Sequence, residues 1–289
     1  MTFNTSTLNF VESGVEISET AIADNGVWIR YGSVITNSII LENVFIGFKC
    51  QIQNAQINQS VEIATGVKIL GTRDHPVRIN KFSWVGAKAT IQQGIKIGEG
   101  CIIGAGSFVR DNVADYTIVI GNPAKILKVR NSIIDKFPVF QEFLSKVKAD
   151  YSNHRPDYTK KYLNLTTQKF DDSQIGNDTI LQGKRSSAFP NAGIKLGDMS
   201  YIGNNCVFES SGGINIGNNS LIADKVTLVS ISHDYKKLSL PTIVDSIHIG
   251  NNVKVGKNSL ILLGARIRDG TIIPEDSIVL KDKIIESVL

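Results

Sequence analysis

Aliphatic residues recur at every sixth position. Val85, Ile91, Ile97, Ile103 and Val109 keep the step strictly. Upstream, Ile29, Ile35 and Leu41 keep it, and Ile46, Ile52, Ile57, Ile63 and Ile69 follow with two five-residue steps. The pattern returns with Leu196, Ile202 and Phe208, then Ile216, Ile222 and Leu228, then an unbroken run of Ile249, Val255, Ile261, Ile267, Ile273 and Val279. A period of six matches neither the 3.6 of a helix nor the 2.0 of one long strand. It matches short strands separated by turns, each strand delivering one aliphatic side chain to a common interior. Three such hexads close a triangular coil of about eighteen residues, and stacked coils lie ~4.8 Å apart, one strand spacing. Glycine often follows the aliphatic residue, as at Gly86, Gly98, Gly104, Gly203, Gly217, Gly250 and Gly256. Those positions are expected at corners too tight for a side chain.

Composition agrees with pleated surfaces. The 289 residues include 40 Ile against 18 Leu, and β-branched side chains suit strands better than helical bundles. The net charge of +4 excludes a nucleic-acid polycation, though not a small polyanionic ligand. No apolar run approaches the ~20 residues of a membrane span. The opening MTFNTSTLNF has neither a basic n-region nor an apolar h-region, so no signal peptide is read and a cytoplasmic location is expected. Three scattered cysteines, Cys50, Cys101 and Cys206, predict no disulfide framework and no zinc site.

The six-step fades over residues 131–163. There Ile133, Ile134, Phe137, Phe140, Phe143, Leu144 and Val147 recur at threes and fours, which predicts a short amphipathic helix. The expected organisation is a first repeat domain over 1–130, a helical linker over 131–163, and a second repeat domain over 164–289.

Interruptions of a solenoid are where chemistry can be mounted. The step from Ile69 to Val85 is sixteen and encloses LGTRDHPVRINKFSW; the step from Leu228 to Ile249 is twenty-one and encloses VSISHDYKKLSLPTIVDSIH. Each excursion follows a similar strand and soon presents a histidine, His75 or His233. A loop histidine is ordinarily a surface residue. The matching positions in two repeat regions make both candidates for a functional role. His248, before a coil corner, and His154, in the linker, read as structural.

The stretch SWVGAKATIQQGIKIGEGCIIGAGSFVRDNVADYTIVIGNPAKILKVR resembles the C-terminal half of hexapeptide-repeat acyltransferases, notably the galactoside, maltose and capsular-sugar O-acetyltransferases. GAGS at Gly104–Ser107 and GNPAK at Gly121–Lys125 carry the likeness together, and SHDY at Ser232–Tyr235 resembles the histidine loop of colanic-acid-type enzymes. The resemblance implies an all-β chain of two left-handed parallel β-helix domains, present as a tandem duplication. It implies acetyl transfer from acetyl-CoA to a hydroxyl or an amine, in homotrimers whose sites lie between subunits.

A sugar hydroxyl is a poor nucleophile at neutral pH. A positioned imidazole that removes its proton contributes roughly 10²–10⁴-fold. His75 is the first candidate base and His233 the second. By resemblance, Ala87 and Ala105 line the groove for the pantetheine arm, Trp84 sits beside the acetyl and acceptor pocket, and Arg110, Lys125 and Lys128 meet the nucleotide and its 3′-phosphate. Trp84 has a plainer reading as cover for a coil corner, and the three cations as solvated residues near a coil end. The cysteines fall within hexads, which favours direct transfer in a ternary complex over a covalent intermediate. The second domain departs from the pattern: Pro274-Glu-Asp-Ser replaces GAGS, Glu275 takes the position of Ala105, and Lys254 that of Trp84. A carboxylate there is awkward for an anionic co-substrate.

The leading expectation is therefore an O-acetyltransferase acting on a carbohydrate, such as a surface-polysaccharide precursor. The alternatives are an N-acetyltransferase acting on an amino sugar or a drug-modifying acetyltransferase, and a non-catalytic scaffold, above all for the second domain.

Overall fold

The computed structural model describes residues 9–18, 20–131, 162–163, 172–182, 191–237, 239–281 and 283–285. The chain forms two compact units. One comprises Met1–Arg155 with Tyr235–Leu240; the other comprises Pro156–Asp234 with Pro241–Leu289.

The first unit is a parallel β-helix with three faces. The first face stacks Phe10–Val11, Trp28–Ile29, Phe45–Ile46, Glu62–Ile63, Trp84–Val85, Ile102–Ile103 and Thr117–Ile120, and ends in the antiparallel strand Lys125–Val129. The second runs from Glu16–Ile17 through Val34–Thr36, Gln51–Gln53, Lys68–Leu70 and Thr90–Gln92 to Phe108–Val109. The third comprises Ile22–Ala23, Ile39–Ile40, Ala55–Ile57, Val77–Ile79 and Lys96–Ile97. The chain visits the faces in that order, and strict register builds the core. Ile29, Ile46, Ile63, Val85, Ile103 and Val119 form one column on the first face, all buried. Each fully buried aliphatic side chain contributes about 1.5–3 kcal/mol.

Two details differ from the sequence expectation. The inward residue of the third face is Ile40, fully buried, whereas Leu41 is half-buried. The coil from Ile29 to its register partner Ile46 therefore takes seventeen residues (46 − 29), because the second-to-third corner is one residue shorter. The first excursion also hides a rung: Val77–Ile79 is a strand in register with Ala55–Ile57, leaving only 71–76 as a bulge.

The corners recruit the small residues as expected. A Cβ on Gly86 would lie 2.5 Å from the Ala105 nitrogen of the next coil. Polar side chains bind the corners together. The Ser33 hydroxyl donates to the Gly47 carbonyl at 2.8 Å and accepts from the Cys50 amide at 3.1 Å. The thiols of Cys50, Cys101 and Cys206 donate to the carbonyls of Ala64, Ala114 and Ala223 at 3.1, 3.0 and 3.2 Å. All three cysteines are free and buried.

The second unit is built alike. Leu181, Phe208, Leu228, Ile261 and Val279 form one buried column. Leu196, Ile216, Ile249 and Ile267 form another, and Ile202, Ile222, Val255 and Ile273 the third. The only helical element among the described residues is a 3₁₀ turn at Asp172–Gln174. The helix expected over 131–163 lies outside the described residues, except Asn131 and Tyr162–Leu163. The latter pair is a strand, in register with Ile180–Leu181. Among the described residues no helix is long and apolar enough to cross a membrane, and no group of three or more His, Cys, Asp or Glu is placed to hold a metal.

Candidate active site

The first unit's first-to-second corner carries a ledge of small residues. Strand Trp84–Val85 leads into the corner of Gly86 and Ala87, and Ile102–Ile103 leads into Gly104–Ser107 on the next coil. Gly106 donates its amide to the Ala87 carbonyl at 2.7 Å, so Ala87 and Ala105 sit on successive corners of one edge. Ala87 is buried and Ala105 half-buried. GAGS and GNPAK are tied together: Gly121 donates to the Ser107 hydroxyl at 3.2 Å, Phe108 to the Gly121 carbonyl at 3.0 Å, and Ala124 to the Phe108 carbonyl at 2.8 Å. The antiparallel strand that follows places Lys125 opposite Ile120 and Lys128 opposite Ile118. Both lysines are exposed.

His75 stands elsewhere. Its bulge leaves the second-to-third corner, where its carbonyl accepts the amides of Thr72 at 3.1 Å and Gly94 at 2.8 Å. Its own amide donates to the Thr72 hydroxyl at 3.2 Å, and the side chain is exposed. Arg110, also exposed, follows Val109 at the same corner two coils on. The fold thus gathers Trp84, Ala87, Ala105, Lys125 and Lys128 on the first face and its following corner, and places His75 and Arg110 on a different corner.

Trp84 is only 8% exposed. It points outward from the first face in register with Ile102 and Ile118. This apolar outer patch is covered by Leu240 and Tyr235, with the Tyr235 ring 5.4 Å from the indole. Arg130, nearly buried, holds that cover by its carbonyls. Tyr235, Leu240 and Arg130 are contacts that sequence reasoning missed. Tyr235 closes the SHDY motif, but no spacing rule links it to Trp84.

His233 ends the strand Ile231–His233, paired antiparallel with Thr242–Val244, and lies opposite Thr242. It is half-buried. In the second unit a Cβ on Gly256 would lie 2.4 Å from the Glu275 nitrogen, the same close approach that Gly86 makes to Ala105. Glu275 therefore occupies the ledge position, exposed, with its carboxylate where the first unit has a methyl.

Residues 76–111 match the family described as bacterial transferase hexapeptide (six repeats). Residues 7–75 match the GlmU-like C-terminal hexapeptide, and residues 246–274 the hexapeptide repeat of succinyl-transferase. Hexapeptide-repeat transferase models thus match stretches of both repeat regions and support a hexapeptide-repeat acyltransferase. It is 33% identical over 121 residues to a serine acetyltransferase of Buchnera aphidicola, covering 41% of this chain and 42% of that protein. It is 51% identical over 49 residues to a chloramphenicol acetyltransferase of Escherichia coli, covering 17% of this chain and 23% of that protein. Among solved structures, the acetyltransferase domain of PglB from Neisseria gonorrhoeae aligns at 25% identity and a TM-score of 0.39, covering 41% of this chain and 57% of that chain. The chain spans less than half the length of both curated relatives.

Proposed function

We propose that this chain is an acetyl-CoA-dependent O-acetyltransferase acting on a carbohydrate hydroxyl in the cytoplasm. The observation that carries the reading is the ledge: Ala87 stacked on Ala105, with Lys125 and Lys128 on the adjoining strand. Small side chains on a regular edge admit an extended pantetheine arm, and the two ammonium groups suit its phosphates. Arg110 stands with His75 on a different corner, so it reaches a phosphate only at the ledge of another copy. The similarity to acetyltransferases supports the same donor.

The acceptor hydroxyl needs a base. His75 and the ledge occupy different corners of the coil, so His75 serves the ledge of another copy in a homotrimer. His233, half-buried at the end of its strand, is the second candidate. Either imidazole takes the hydroxyl proton as the oxygen attacks the thioester carbonyl, and main-chain amides of the coil edge stabilise the developing oxyanion; its collapse breaks the C–S bond, and the imidazolium returns the proton to the leaving CoA sulfur. The buried cysteines support direct transfer. Burial pushes the Cys101 thiol above its ordinary range, which disfavours the thiolate a covalent route requires.

The 51% match to a chloramphenicol acetyltransferase favours a second reading, acetylation of a drug hydroxyl on the same ledge. An amino-sugar acceptor uses the same machinery with nitrogen as nucleophile. The second unit, with Glu275 on its ledge, acts as a scaffold. Thioester consumption measured over sugars, nucleotide-linked amino sugars and chloramphenicol separates the acceptors. His75→Ala lowers turnover by about 10²-fold or more without weakening CoA binding. Full activity in His75→Ala together with its loss in His233→Ala moves the base to His233, and loss in neither variant refutes histidine base catalysis.

A further inference from the structure

Outward positions on a solenoid face ordinarily meet water, and Glu62 holds that position one coil before Trp84. The column is otherwise apolar, with Phe10, Trp28 and Phe45 before Glu62 and Trp84, Ile102 and Ile118 after it. Trp84, Ile102 and Ile118 are 8%, 2% and 7% exposed, and Tyr235 and Leu240 pack on them. That segment belongs to the first unit although it stands more than a hundred residues further along the chain.

One side chain secures it. Arg130 donates through Nη1 to the Gly100 carbonyl at 2.9 Å, through Nε to the Tyr235 carbonyl at 2.8 Å, and through Nη2 to the Lys237 carbonyl at 2.7 Å. The first bond roots the guanidinium in a coil corner, and the other two grip the segment. A planar fork with five donors can span three carbonyls; an ammonium cannot hold the same geometry. The Tyr235 ring lies tilted over the indole and stays half-buried, so Tyr235 presents an aromatic surface where Trp84 has been covered.

We infer that Arg130 is a positioning residue that latches Tyr235–Leu240 over Trp84, and that Tyr235 supplies the aromatic wall for the acceptor. The acceptor class is a ring with an apolar face, which an aromatic side chain can cover. The inference rests on the ledge reading above.

The test uses the full chain. Trp84 emission is isolated by subtracting the spectrum of Trp84→Phe, and CoA affinity, acceptor KM and kcat are measured for Arg130→Met, Arg130→Lys, Tyr235→Ala and Tyr235→Phe. In Arg130→Met the Trp84 emission moves to the red and the acceptor KM rises by about tenfold or more, as a displaced positioning group does, while CoA affinity is unchanged. Arg130→Lys behaves like Arg130→Met. Tyr235→Ala raises the acceptor KM more than Tyr235→Phe, which keeps the aromatic face. Wild-type emission in Arg130→Met overturns the latch. Shifted emission with an unchanged acceptor KM overturns the positioning role. Should Arg130→Met fail to fold, Tyr235→Ala decides: an unchanged acceptor KM refutes the aromatic wall. A wild-type chain without CoA affinity defeats the ledge reading and the acceptor wall with it, and the emission of Arg130→Met then decides the latch alone.

Discussion

Replacing Gly86 with alanine tests the link between coil packing and the ledge. The added Cβ would lie 2.5 Å from the Ala105 nitrogen and 2.8 Å from both the Ala105 Cα and the Gly104 carbonyl carbon. That is about 1 Å inside the ~3.5 Å of an optimal contact, and it falls on main chain that cannot rotate away. The next coil must shift outward, at a cost of about 1–3 kcal/mol. The shift also moves Ala105 relative to Ala87, so the edge proposed for pantetheine is no longer straight. Gly94→Ala is the control. There φ is +76° and the added Cβ meets only the His75 Cβ at 3.5 Å, so the cost is conformational, roughly 1–2 kcal/mol, and lies away from the ledge. Urea unfolding and calorimetric CoA titration are run on both. Both variants lower the urea midpoint, but only Gly86→Ala weakens CoA binding, by about tenfold. A Gly86→Ala protein with the wild-type midpoint refutes the packing argument. One that is destabilised yet binds CoA normally refutes the placement of the ledge.

Two further outcomes follow from titratable groups. Burial and the neighbouring Arg266 hold His248 below its ordinary range, with Asp245 pulling the other way, so the unfolded chain binds this proton more readily than the folded one. The stabilising effect of the neutral ring is full above the unfolded pKa of ~6.5 and is lost as pH falls below it. His248→Gln flattens the acid side of the urea-midpoint profile below about pH 7, and an unaltered profile contradicts this. Because burial raises the Cys101 thiol and all three cysteines are enclosed, a thiol reagent at pH 8 leaves the folded protein unlabelled, and urea exposes all three; rapid labelling of Cys101 in the folded state contradicts the corner packing.

The rungs were legible because a fully buried column tolerates little but aliphatic residues, and the column repeats with each coil. Leu41 was a misreading with a simple origin. Two neighbouring aliphatic residues cannot be told apart by period alone when one corner is a residue shorter. Val77–Ile79 escaped because an excursion resets the count before it. Corners were legible where glycine follows the buried aliphatic residue, as at Gly86 and Gly98. They were hidden where Phe82, Lys88 or Tyr116 takes the left-handed conformation, since those residue types carry no turn signal. Ala87 and Ala105 were named by resemblance alone, and the coil register puts them on successive corners. The cover over Trp84 could not: Arg130 and Tyr235 are joined by folding alone, more than a hundred positions apart, and nothing periodic connects them.

Calorimetric titration of the 289-residue chain with CoA tests the account most directly. One site per chain is the predicted result, lost when Lys125 and Lys128 are both replaced by glutamate and kept when Glu275 is replaced by alanine. A titration with no heat of binding contradicts the claim that the small-residue edge is a thioester site, and two equal sites contradict the claim that the carboxylate of Glu275 closes the second one.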